Sequence, residues 1–250
     1  MSLAVIGATS AIAQQTTKVF SEAGHDLFLV ARDIQHLNEI EKEFFPTDIA
    51  VNTLQADISE VGVIPMVAEE IIRSFGEEPY VLVAVGSISG EKEAKSSAEH
   101  ALQLIDINFR NIVALITPIA QALEQKGKGC LIIISSVSGD RGRQSNFIYG
   151  SAKAGLSAYA QGLRSLLYSS GVHVMTVKPG YVDTPMLRLA LGQKYDSIPV
   201  FLIGSSEAVG RRIYKAAVQR TNVLYVPPIW RSLMFLVKSI PENIFKRTNL

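Results

Sequence analysis

Between Leu131 and Lys153 the chain reads LIIISSVSGDRGRQSNFIYGSAK, which brings a hydroxyl (Ser136), a phenol (Tyr149) and an amine (Lys153) into one stretch. Tyr149 and Lys153 are four residues apart, so on a helix they share a face, one turn from each other. Ser136 follows an uninterrupted apolar run, residues 131–134, of the kind buried on both faces in a parallel sheet. A hydroxyl at a strand's carboxyl end, followed by a phenol and an ammonium on the next helix, makes a proton donor for a substrate oxygen. Tyr and Lys at this spacing are common on wet helix faces. Here Leu156, Ala160 and Leu163 continue from the pair at helical spacing, which turns it inward, where an unpaired ammonium is costly.

Short apolar strands and amphipathic helices alternate along almost the whole chain. Strands are expected at 3–6, 26–31, 49–55, 81–85, 131–134, 172–177 and 223–226, and helices at 11–23, 34–44, 65–75, 98–125, 149–167 and 206–218. This alternation predicts an α/β fold: one Rossmann-like, doubly wound parallel sheet with helices on both faces. With 250 residues, no internal repeat and no Pro/Gly/Ser linker, residues 1–250 are expected to form a single domain. A net charge of +1 without a dense basic stripe gives no reason to expect nucleic acid. Cys130 is the only cysteine, so no intrachain disulfide can form, and no metal-ligand cluster is evident. The opening MSLAVIGATS lacks a secretion signal's pattern, and no run of about 18 uninterrupted apolar residues suggests a membrane span. A cytoplasmic chain is expected, peripheral to a membrane if its tail touches lipid.

The first strand ends at Gly7, followed by Ala8-Thr9-Ser10-Ala11-Ile12 and a helix. Such a turn places backbone N–H groups of Thr9, Ser10 and Ile12 and the positive helix end where a pyrophosphate can sit. The second strand ends at Arg32-Asp33. In dinucleotide folds an acid at this tip selects a ribose 2′-hydroxyl, whereas an arginine pairs with a 2′-phosphate. Arg32 therefore predicts NADP(H) in preference to NAD(H), which stays open if Asp33 holds the ribose or if Arg32 is merely solvated.

The spacing of Ser136, Tyr149 and Lys153 resembles the active-site signature of the short-chain dehydrogenase/reductase family, and the resemblance spans nearly the whole chain. It implies a Ser-Tyr-Lys-Asn tetrad completed by Asn108, from LIDINFRN. In it Tyr149 is the acid and base, Ser136 polarises the substrate oxygen, and Asn108 binds a water that relays protons. Lys153 would lower the phenol's pKa and hold the nicotinamide ribose beside Tyr149. The resemblance further implies that Asp57 binds the adenine amino group and that Gly86 lies near the cofactor. In the Pro179-Gly180-Tyr181-Val182-Asp183-Thr184 loop, Thr184 and the Val182 backbone would bind the carboxamide. The chain departs from the family pattern at Ile6, Ala11 and Ala13, and at Val83-Ala84-Val85, where relatives usually carry Asn-Asn-Ala.

After the last expected strand, Trp230, Leu233, Met234, Val237 and Ile240 make an apolar face at helical spacing. The tail, about 227–250, is expected to lie on a membrane surface, close over a lipid, or dock on a partner subunit. A lid over the substrate is expected at about 184–204, with Met186, Leu187, Leu189, Leu191, Phe201 and Leu202 as an apolar wall, and the polar segment 87–97 as a mobile, solvated flap. Arg141 and Arg143 could bind an anionic group on the substrate, lie solvated, or touch another subunit. The C-terminal half is similar to bacterial polyprenyl-phosphoryl ketopentose reductases, which implies a lipid-linked keto sugar as substrate. Family resemblance of helices 98–125 and 149–167 implies a homodimer or homotetramer. Two rivals remain: an NAD-dependent dehydrogenase of a small alcohol, and a binding module that senses NADPH without turnover.

Overall fold

The structure, a computed structural model, describes residues 1–44 and 48–248. The chain runs β1 (Ser2–Ile6), α1 (Ala11–Glu22), β2 (Asp26–Ala31), α2 (Ile34–Phe44), β3 (Val51–Gln55), α3 (Ile64–Arg73), β4 (Pro79–Val83), α4 (Glu91–Ala94), α5 (Ala98–Ile105) and α6 (Asn111–Lys126). It continues through β5 (Gly129–Ile134), α7 (Phe147–Leu166), β6 (Val172–Pro179), β7 (Tyr181–Val182), α8 (Pro185–Leu191), β8 (Ile203–Gly204), α9 (Ser206–Val218), β9 (Val223–Val226), α10 (Ile229–Ser239) and α11 (Glu242–Phe245). Seven strands form one parallel sheet in the order β3-β2-β1-β4-β5-β6-β9. The order reverses between β1 and β4, which opens the crevice at their carboxyl ends where doubly wound sheets bind ligands.

Both faces of the sheet's centre are buried, which is why β1, β4 and β5 are nearly continuously apolar rather than alternating, unlike the exposed edge strand β3. Along β1, Ala4 and Ile6 point into a core completed by α3, α6 and α7, with Ile71, Ile112, Leu115 and Leu156. Leu3 and Val5 point to the other side, against Phe20 of α1 and Val209 and Ile213 of α9. Each fully buried aliphatic side chain of this kind contributes about 1.5–3 kcal/mol relative to leaving it in water.

Several boundaries move. β4 starts and stops two residues before its expected span. The expected helix 98–125 is two helices joined by a π-helical turn, Asp106–Arg110. A π turn lets Asn108 insert without ending the helix, a device periodicity alone does not reveal. The helical run Ala98–Lys126 is long and apolar enough to cross a membrane by length and composition. Its apolar side, Leu104, Ile112, Leu115, Ile116, Ile119 and Leu123, is buried in the protein.

The tail differs from expectation in what it covers. The face carrying Trp230 and Met234 is not free for a membrane or a partner. It packs within the chain on Val137, Tyr181, Leu202 and Tyr225. Periodicity showed an apolar face but not its partner. The last two residues of the expected tail, 249 and 250, lie outside the described residues. In the lid segment, Met186, Leu189, Val200 and Phe201 are exposed, so core packing does not account for them.

The loop after β5 is held from below by a buried charge network. Asp140 is paired with Lys178 of β6 and accepts a hydrogen bond from the Tyr225 hydroxyl of β9 at 2.8 Å. Asp140→Ala would leave the Lys178 ammonium buried without its counter-charge. It should destabilise the fold by about 3–5 kcal/mol, read as a lowered urea midpoint at unchanged slope. A loss below about 1 kcal/mol would remove the network as a support of this loop.

Candidate active site

Ser136, Tyr149, Lys153 and Asn108 converge at the carboxyl edge of the sheet, beside the crevice. Ser136 lies just past β5, where its hydroxyl accepts from the Ser138 amide at 3.0 Å and is near enough to the Tyr149 phenol to lower its pKa. Lys153 is 2% exposed, and its ammonium donates to the Val85 and Ile134 carbonyls at 3.3 Å each. It stands 5.8 Å from the centre of the Tyr149 ring. Asn108 is fully buried: its Nδ2 donates to the Ser87 and Leu104 carbonyls at 2.7 and 2.9 Å, and its Oδ1 accepts from the Ser87 amide at 3.1 Å. Its carboxamide therefore ties the start of segment 87–97 to the helix. Gly86 leaves room between them: a Cβ there would stand 2.8 Å from Asn108 Oδ1 and 2.9 Å from Lys153 Nζ and would displace one of these side-chain ends. Oδ1 and the ammonium thus line the same small gap.

Electrostatics correct one expectation. Burial pushes the Tyr149 phenol up to about 12, the Ser136 hydroxyl pulling the other way. Burial also brings the Lys153 ammonium down to about 8. The anticipated lowering of Tyr149 by Lys153 is absent in the protein alone, because a dry site disfavours phenolate and ammonium alike. The phenol is held in its protonated, donating form.

At the crevice, Gly7 adopts φ +81°, and a Cβ on it would stand 2.9 Å from the Ala84 carbonyl oxygen. This backbone approach needs glycine. Ser10 caps α1, its Oγ accepting from the Ala13 amide at 3.3 Å, and the Thr9 carbonyl accepts from Gln14 Nε2 at 2.9 Å. Ile12, in the first turn, is partly buried against the core. First-turn amides have no partner inside their own helix, so this end suits an anion. Ala13 is fully buried, with its methyl in the helix–sheet core, so this replacement places nothing toward a phosphate.

At the tip of β2, Arg32 has a 72% exposed side chain and stands 3.6 Å from Asp57. With Asp33, Ile34, Gln35 and Gln55 it lines an open cleft of ≈ 500 Å³. Asp33, which lines the same cleft, accepts from the His36 amide at 3.0 Å through one carboxylate oxygen and so caps α2. Burial pushes the Asp57 carboxyl up, but hydrogen bonds from the Ser59 amide and side chain, then Arg32, outweigh it and hold the group below its usual range. Asp57 therefore both closes a turn and faces Arg32. Gln55 was not anticipated; its Nε2 donates to the Arg32 carbonyl at 3.0 Å and steadies the tip. Its place at a strand end beside Arg32 was the available signal. A turn that needs glycine, a capped helix end and an open cleft beside Arg32 fit the phosphates and ribose of a dinucleotide.

Pro179 ends β6 opposite Val226 of β9, and the Gly180 amide donates to the Val226 carbonyl at 2.8 Å. A Cβ on Gly180 would stand 2.2 Å from the Trp230 ring, so this glycine makes room for α10. Val182 is buried in β7, and the Thr184 hydroxyl caps α8 through the Leu187 amide and donates to the Val182 carbonyl, both at 3.2 Å. Arg141 is not placed to bind substrate. Its Nη1 donates to the Val237, Lys238 and Ile240 carbonyls at 2.7, 3.1 and 2.6 Å, and its guanidinium lies 3.8 Å over Phe245. It caps α10, a role invisible without the tail's position. Arg143 differs: its Nη2 meets the Val137 carbonyl at 3.3 Å and Met234 Sδ at 3.6 Å, and no ion pair to it is present among the described residues. Burial lowers its pKa, against the pull of Tyr181 and Asp140.

Segment 87–97 is not uniformly solvated. Glu91 is buried and accepts from the Ile148 and Tyr149 amides at 3.1 and 2.9 Å. An acid 57 residues before the helix it serves leaves no local signal.

Comparison with known proteins agrees with this geometry. A family model described as short chain dehydrogenase matches residues 2–194. An uncharacterized oxidoreductase of Mycobacterium tuberculosis is 27% identical over 90% of this chain and 88% of its own length. Another, from Streptomyces coelicolor, is 31% identical over 98% of this chain and 95% of its own. The solved structure of a short-chain dehydrogenase from Sphingobium yanoikuyae in complex with NADPH superposes with a TM-score of 0.76, at 25% identity and over 97% of each chain. With a doubly wound sheet, a hydroxyl–phenol–ammonium cluster at its carboxyl edge and these relatives, the chain belongs to the short chain dehydrogenase family and is an oxidoreductase.

Proposed function

We propose that this oxidoreductase transfers hydride between NADP(H) and a carbonyl or alcohol substrate, with Tyr149 as general acid and base. The observation that carries it is the convergence of the buried Tyr149, Ser136 and Lys153, with the ammonium 5.8 Å from the phenol ring's centre. When bound, the nicotinamide supplies the hydride and, once oxidised, a positive charge that favours phenolate. Ser136 hydrogen-bonds the substrate oxygen and holds it within reach of the phenol. Tyr149 gives that oxygen its proton in reduction and takes it back in oxidation. Lys153 steadies the phenolate and holds the nicotinamide ribose. Asn108 keeps the floor of the site in place, and its Oδ1 faces the same gap as the ammonium, which supports a proton path between them.

NADP(H) is preferred because Arg32 lies open in its cleft while the competing acid, Asp33, is engaged in capping α2. The relative from Sphingobium yanoikuyae that binds NADPH supports the same preference. Gly7, Thr9, Ser10 and Ile12 take the pyrophosphate, Asp57 the adenine, and Pro179, Gly180, Val182 and Thr184 the carboxamide. Residues 184–204 act as a lid on one domain, with exposed Met186, Leu189, Val200 and Phe201 as its apolar lining. The finer reading is a substrate joining an anionic group to an apolar chain, as a lipid-linked keto sugar does. Arg143, which has no ion pair among the described residues, together with exposed Phe235 and Leu236 on the outer face of α10, supports it, and the same face suits contact with a membrane surface. Pairing into a homodimer or homotetramer is supported by Leu102, Phe147 and Leu166, apolar yet exposed on the long helices.

The test is calorimetric titration with NADPH and NADH, followed by NADPH oxidation against neutral, anionic and lipid-linked ketones. Tyr149→Phe should abolish turnover and keep NADPH affinity within about twofold, since the phenol acts only on the reacting oxygen. Retained turnover would remove Tyr149 as the acid. Arg32→Ala should weaken NADPH by roughly ten- to a hundredfold, the worth of a charge-assisted pair, and NADH hardly at all. Equal losses would end its 2′-phosphate role. Lys153 is charged below its pKa of about 8 and neutral above it, while Tyr149, up at about 12, stays protonated across that range. The rate of carbonyl reduction should therefore be flat at lower pH and fall as pH rises through about 8. A profile flat from pH 7 to about 10 would contradict this.

A further inference from the structure

We propose that Glu91 is a positioning residue for Tyr149: from α4 it caps the helix that carries the phenol and couples segment 87–97 to the site. The proposal goes beyond the function above but rests on its assignment of Tyr149 as the acid.

Helix α7 opens without a cap of its own. Asn146 occupies the capping position, yet its side chain makes no capping hydrogen bond. Two first-turn amides, those of Ile148 and Tyr149, are instead met by one carboxylate, bidentate, at 3.1 and 2.9 Å. One of the two belongs to the proposed acid itself, so any movement of Glu91 is transmitted to the Cα from which the phenol hangs. The carboxylate is 8% exposed, and its own helix is pressed onto the same helix start through Ala94, which packs with Leu104, Ile148 and Tyr149. At its other end the segment is tied by the Asn108 carboxamide, which exchanges two hydrogen bonds with the Ser87 backbone. Segment 87–97 is therefore fastened at one end to Asn108 and in its middle to Tyr149, two residues of the site.

Glu91→Gln and Glu91→Ala separate capping from charge. Glutamine keeps the shape and one acceptor; alanine keeps neither. In Glu91→Ala we expect kcat to fall by about tenfold or more with NADPH affinity held within about twofold, because a misplaced acid costs turnover rather than cofactor binding. Glu91→Gln, which keeps one acceptor for the two amides, should recover much of kcat. Hydrogen exchange at the Ile148 and Tyr149 amides should accelerate in both variants, most in Glu91→Ala. An unchanged kcat in Glu91→Ala, no recovery in Glu91→Gln, or a lowered melting temperature as the only change, would overturn the proposal. Exchange also separates the two readings: if the parent protein reduces no ketone, the function above fails. Glu91 is then judged by those two amides alone, and unchanged protection of them would overturn its capping role.

Discussion

A lysine ammonium at the carboxyl edge of a parallel sheet is the interaction on which the site depends. In a parallel sheet all strands end on the same side, so carbonyls past the last ladder bond gather there. Lys153 reaches that edge from α7 and is met by the carbonyl of Val85, beyond β4, and that of Ile134, at the end of β5. The pocket is dry enough to bring the ammonium down to about 8 and the neighbouring phenol up to about 12. Dipoles fixed by the fold, in place of water, hold a group that would otherwise be expensive to bury. The same dryness keeps Tyr149 a donor, which suits reduction of a carbonyl.

Holding that geometry takes supports from distant parts of the chain. The loop between Ser136 and α7 is anchored below by Asp140 with Lys178 and Tyr225, and at its outer side by Arg141 with the end of α10. Trp230 fills the space left by Gly180 and donates to the Leu202 carbonyl at 3.0 Å, linking tail, lid and the loop after β6. The C-terminal helix is thus a wall of the site region. Glu91 does the corresponding work on the opposite side, at the start of α7. None of these side chains is in the proposed proton path, yet each fixes a backbone segment from which a site residue projects.

Departures from the family pattern have local physical explanations. Ala13 fits because its methyl is absorbed by the core between α1 and the sheet. Gly7 remains because its φ of +81° and its approach to Ala84 admit no side chain. Past β4 the Ala84 amide still donates to the Ile6 carbonyl at 2.9 Å, so backbone bonding joins the two strands where relatives usually add asparagines.

The alternation of apolar runs with amphipathic helices was sufficient for the sheet, its parallel sense and the helices on both faces, because burial of both faces leaves an unmistakable pattern. Ser136, Tyr149 and Lys153 were legible for a similar reason: helical spacing puts the last two on one apolar face, and the first ends a buried strand. Asn108 was singled out by the resemblance of LIDINFRN to the family's tetrad segment, which carried no sign of the π turn around it. What required the tertiary structure was every partner distant in sequence. Arg141 was open between an anion, solvent and another subunit until the tail's carbonyls were seen around it, and the tail's apolar face between membrane, lipid and partner until Val137 and Tyr181 were seen beneath it. Glu91 read as solvated because the amides it caps lie 57 and 58 residues away. The pKa values of the central pair were likewise beyond the sequence, since desolvation depends on what surrounds a group in space. Periodicity reports which face a residue is on; only the packed chain reports what that face meets.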